Sequence, residues 1–61
     1  MGTSEMLQRS IAYEESVLRN YLQYAKQAEA TDAGVLFAQL AEEKAVHLEK
    51  LKLMLKSYCK P

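Results

Sequence analysis

Apolar residues recur at helical spacing along nearly the whole chain, and one short polar stretch interrupts them. Leu7, Ile11, Leu18, Tyr21, Ala25 and Ala28 fall on one helical face, which Met6, Tyr13, Val17 and Tyr24 widen on one side. Farther along, Ala33, Leu36, Phe37, Leu40, Leu48, Leu51, Met54, Leu55 and Tyr58 make a second stripe, with Val35, Val46 and Leu53 as a weaker one beside it. Between the two stands Thr31-Asp32-Ala33-Gly34, where Asp32 or Thr31 can cap a new helix. The pattern predicts a first helix over about 4–30, capped by Thr3 or Ser4, a turn at 31–34, and a second helix over about 33–58. Lys50, Lys52, Lys56 and Lys60 crowd the end of the second helix, where its dipole favours cations. Residues 1–61 therefore read as a single all-α unit, a two-helix antiparallel hairpin.

Both apolar faces are wider than the narrow seam that joins two helices, so neither helix can cover the other's face completely. A chain of 61 residues is also short. Its own core rarely contributes more than about 3–5 kcal/mol without a disulfide, a metal or a partner. Cys59 is the sole cysteine, which excludes an internal disulfide. The expected solution is a homodimer of hairpins forming a four-helix bundle, with a higher oligomer or a larger protein partner as further options.

Charge removes several function classes. Eight Lys and Arg balance eight Asp and Glu, so nothing suggests an electrostatic footprint for nucleic acid or anionic lipid. The longest apolar run, Val35 to Ala38, is far too short to cross a membrane. The first residues lack the charged start and apolar core of a signal peptide. With a single thiol, these features make the cytoplasm the expected compartment.

The residues that break the stripes carry the chemistry. Glu14 lies amid Leu7, Ile11, Leu18 and Tyr21, with Glu15 at the edge of that face. Lys44 lies amid Leu40, Leu48 and Leu51, and His47 precedes Leu51 and Met54. Glu43 borders the same face, one turn before His47. Folding the hairpin at its turn brings these five residues into one or two adjacent layers. Buried charge is costly unless paired or bound to metal, so the layer is either a polar network or a metal site.

Residues 11–24 resemble the first metal-binding helix of rubrerythrins and related ferritin-like proteins, where a ligand glutamate sits in a Glu-Ser-x-x-Arg-Asn pattern followed by tyrosine. Here it reads Glu15-Ser16-Val17-Leu18-Arg19-Asn20, with Tyr24 farther on. Residues 40–51 look like the second helix of that family, Leu40-Ala41-Glu42-Glu43-Lys44-Ala45-Val46-His47-Leu48-Glu49-Lys50-Leu51. The resemblance covers most of the chain but one hairpin only, where a family domain has two. It implies a ferritin-like four-helix bundle in which each half supplies one Glu and one Glu-x-x-His to a di-iron centre. Glu15 then matches the first ligand and His47 the histidine. The position three before His47, a glutamate in the family pattern, is Lys44. The Cys-x-x-Cys pairs of a rubredoxin-type electron carrier are absent from these residues.

Two readings follow. In the first, the chain is a ferritin-like assembly module with a degenerate metal site and no cofactor, and Lys44 pairs with Glu14 or Glu15 in place of the metal within a polar network of Glu14, Glu15, Lys44 and His47. In the second, it is a di-iron type metalloprotein that oxidises or sequesters iron or reduces peroxide. Glu15, Glu43 and His47, with Glu14, would then hold iron, zinc being the less favoured ion. Lys44 can also snorkel, leaving only its stem on the core face. Tyr13, Tyr21, Tyr24 and Tyr58 read as packing residues of a wide face, and Cys59 as an exposed thiol.

Overall fold

The computed structural model describes residues 2–58, so Cys59 and Lys60 lie outside the described residues. Two helices, α1 (Thr3–Gln27) and α2 (Asp32–Tyr58), run antiparallel along an elongated body of 47 × 17 × 12 Å. The radius of gyration is 14.1 Å. A compact chain of this length would have about 10.5 Å. The difference is that of a rod one helix thick and two helices wide.

Most residues half-buried or buried between the helices follow one rule, with Glu15, Val17 and Leu40 half-buried beside them. In α1 they include Leu7, Ile11, Glu14, Leu18, Tyr21 and Ala25, continuing to Ala28 in the turn; in α2 they include Gly34, Phe37, Ala41, Lys44, Leu48, Leu51 and Leu55. Every step is three or four residues, the spacing that keeps one seam facing a partner helix. The seam of α1 is the apolar face expected from the sequence. In α2 it is narrower than the expected stripe, because Ala33, Leu36, Met54 and Tyr58 stay exposed. Among the described hydrophobic residues only Ile11, Ala41 and Leu48 are buried. Phe37 joins both neighbouring tyrosines near the turn, with ring centroids 6.2 Å from Tyr21 and 5.3 Å from Tyr24.

The turn falls earlier than the sequence pattern suggests. α1 stops at Gln27 instead of about Ala30, and residues 28–31 make the reversal. Ala30 adopts φ 68°, the left-handed region that costs an L-residue about 1–2 kcal/mol. Thr31 then caps α2: its Oγ1 accepts the Gly34 N–H at 3.1 Å and donates to the Ala28 carbonyl at 2.5 Å. Ala28 and Ala30 carry no breaker signal, so local propensity extends the helix through them where the cap does not. At the other end, neither Thr3 nor Ser4 is the cap of α1. Gly2 takes that place in extended backbone with no side-chain hydrogen bond.

Gly34 belongs to α2 and not to the turn. A Cβ there would run into the Ala28 carbonyl oxygen, 2.8 Å from its carbon and 3.4 Å from the Ala25 oxygen. Glycine is required because the two backbones approach closely at this end of the seam.

Candidate functional site: a charged layer in the seam

The seam has one charged layer, and it lies near the middle of both helices. Lys44 Nζ stands 3.0 Å from Glu14 Oε1, the two side chains only 20% and 23% exposed. Their neighbours along the seam are Ile11, Leu18, Ala41 and Leu48. Lys44 therefore spans the seam to a carboxylate instead of snorkelling to open solvent. Of the two partners expected for it, the structure selects Glu14.

Glu15 goes elsewhere. At about 100° per residue, it is turned away from Glu14 and shares a side of α1 with Leu22, seven residues on. There it meets Lys52 at 3.4 Å, the pair 42% and 52% exposed. Leu22 and the alanines at 38 and 45 line a shallow groove of about 370 Å³ on that same side. We refer to it as the alanine flank. His47 lies across the seam, in the row Leu40, His47, Met54 that repeats every seven residues on α2. Val17 and Tyr24 make the corresponding row on α1, with Met6 and Tyr13 beyond them. This is the aromatic flank. His47 is exposed on it, and Glu43, also exposed, stands one turn earlier at its outer margin.

The five residues expected in one cluster are thus divided by the hairpin. Glu14 and Lys44 close on one another, His47 and Glu43 occupy the aromatic flank, and Glu15 occupies the opposite one. Glu15 and His47 share a level along the rod but not a side. Among the described residues, no group of three or more His, Cys, Asp or Glu side chains is arranged to hold a metal ion. A di-iron centre of the ferritin-like type takes four carboxylates and two histidines, with a Glu-x-x-His on the second helix of each half. The residues of this hairpin do not fit that group: an ammonium replaces one carboxylate, and the first-helix glutamate is paired on the far side. The cross-seam Glu15–Lys52 pair has no signal in the sequence, because the two residues lie on different helices and meet only once the hairpin closes.

No described helix is long and apolar enough to cross a membrane. Searches of curated proteins and of solved structures gave no match. A family model described as Rubrerythrin does match, over residues 5–60, and that family is typically di-iron. The match takes in both helices, the turn, and the whole charged layer. With a two-helix, all-α hairpin and a match over nearly its full length, the chain belongs to the rubrerythrin family, of ferritin-like fold.

Proposed function

We propose that the protein acts as an assembly module: two copies pack their aromatic flanks together into a four-helix bundle, with the Glu14–Lys44 layer near its centre. One observation carries this reading. The hairpin exposes 4759 Å². A compact monomer of its 6.9 kDa mass would expose about 4,000 Å². The excess, about 750 Å², is close to the roughly 800 Å² that each partner contributes to a standard interface. The exposed bulk is also unevenly placed. Of the exposed large hydrophobics among the described residues, Met6, Tyr13, Tyr24, Leu36, Met54 and Tyr58 belong at helical spacing to the aromatic flank, Leu22 to the opposite one, and Val35, Val46 and Leu53 to the outer face of α2. A second copy presents the same flank, so a twofold arrangement covers both at once. Glu14, Lys44 and His47 would then be drawn out of water, with each Glu14 already neutralised by its own Lys44.

Sedimentation equilibrium is the direct test. The expected result is twice the chain mass at micromolar concentration. A monomer at all concentrations, with helicity unchanged, would overturn the proposal.

Membership of the family favours a second reading, in which the chain binds iron and does redox chemistry with it. Elemental analysis separates the two after anaerobic refolding with excess ferrous iron and desalting. About one iron per chain would support the second reading, and none with an intact dimer would support the first.

A further inference from the structure

We infer that the central layer of this hairpin is a family metal site converted into an ion pair, so that the protein folds without metal and the Lys44 ammonium serves as the layer's cation. The inference rests on the hairpin and does not require that the dimer forms.

Three observations carry it. Lys44 occupies the position three before His47, where the ferritin-like pattern places a chelating glutamate on the same face of the helix. Its ammonium lies 3.0 Å from the Glu14 carboxylate in a largely covered seam, so the carboxylate's charge is met where a cation would otherwise be needed. The remaining glutamate of the pattern, Glu15, is met separately by Lys52 on the other flank. Every carboxylate that the layer could offer from α1 therefore has its own lysine from α2. A metal ion beside His47 would also face the Lys44 charge one turn away on the same helix, since side chains three residues apart are neighbours. Exchange of a carboxylate for an ammonium changes the layer by two charge units, from a set that needs a cation to one that is closed.

The prediction is a gain of function from one substitution. Lys44→Glu places two carboxylates, at 14 and 44, against each other with His47 one turn on, and the layer should then demand a cation. The probe is cobalt(II) chloride, followed by visible absorption and by thermal melting monitored by circular dichroism. The wild-type chain should show no cobalt band, and a melting temperature unmoved by cobalt or by EDTA. K44E should melt lower in EDTA, recover with cobalt, and bind the ion at least tenfold more tightly than wild type. Stoichiometric cobalt binding by the wild type with a raised melting temperature would overturn the inference, as would a helical K44E that ignores cobalt.

Should K44E fail to fold under any condition, Glu14→Gln decides the matter. It removes the anion and leaves Lys44 without its partner, so a lower, metal-indifferent melting temperature is expected, and an unchanged one would overturn the inference. Sedimentation of the same samples reports the dimer independently. A monomeric wild type that ignores metal would end the bundle reading and leave the converted layer standing.

Discussion

The two flanks of this hairpin are built on the same seam, yet they ask for different surroundings. On the alanine flank, Ala38 and Ala45 border a groove beside Leu22, and the Glu15–Lys52 pair is about half exposed farther along the same side. Among the described residues Leu22 is the one large apolar side chain exposed there, and the small side chains and exposed pair around it leave less to gain from being covered. On the aromatic flank, Met6, Tyr13, Tyr24, Leu36 and Met54 project outward, and burying a side chain of this size is worth about 1.5–3 kcal/mol. The two lysine–glutamate pairs repeat the contrast. Lys44–Glu14 is enclosed by the seam, whereas Lys52–Glu15 is largely in water, where ion pairs contribute about 0–1 kcal/mol. A residue's worth in a two-helix protein is thus set by which side of the seam it leaves on, and hardly by its type.

The sharpest way to break this comparison is to charge each flank in turn. Leu36→Lys with Met54→Lys alters only exposed positions of the aromatic flank, and the dimer should weaken by about 4 kcal/mol or more, roughly a thousandfold in dissociation constant. The same lysines at Ala38 and Ala45 should change it by no more than about tenfold, since lysine is also a good helix former. Sedimentation equilibrium reads both, and equal effects would remove the distinction between the flanks.

Next come the lysines. Lys44→Met leaves Glu14 without its partner in the seam, and should lower unfolding stability by about 2–3 kcal/mol in urea titrations. Lys52→Met should lower it by less than about 0.5 kcal/mol. If the two variants melt together, the central pair is as solvated as the outer one.

Gly34→Ala tests the close approach on which both flanks depend. The added methyl meets the Ala28 carbonyl, which as backbone cannot move aside cheaply. A loss of about 2 kcal/mol is expected despite alanine's higher helix propensity. A small effect of opposite sign should come from Ala30→Gly, which relieves the left-handed backbone at φ 68° and touches neither flank. The relief of about 1–2 kcal/mol is offset by glycine's freer unfolded chain, for a net gain of about 0.5 kcal/mol. An unchanged or lower midpoint in urea would show that the turn is not strained.

Much of the fold was legible in residues 3–58. The apolar period marked both helices and the seam of α1, and the polar interruption near Thr31 marked the reversal. The last turn of α1 was not legible, because Ala28 and Ala30 are helix formers by local propensity. Their conformation is decided by the Thr31 cap and by the need to bring Gly34 against Ala28. The α2 stripe is narrower than its periodicity implies for a related reason. Periodicity shows which residues share a broad face, but Leu36 and Met54 become exposed only because α1 is too narrow to reach them.

The charged layer divides in the same way. The sequence by itself determined that Glu14, Glu15, Glu43, Lys44 and His47 would sit at neighbouring levels, since an antiparallel hairpin with one turn admits only one pairing of levels. It also determined that a lysine stands where the family pattern has a glutamate. Only the tertiary structure decided which of two adjacent glutamates faces the seam. Glu14 and Glu15 differ by about 100° around the helix, and the rotation of α1 against α2 turns one to Lys44 and the other to Lys52. That rotation is set by packing Ile11, Leu18, Ala41 and Leu48 along the whole rod, a sum of long-range contacts that no local window of sequence contains.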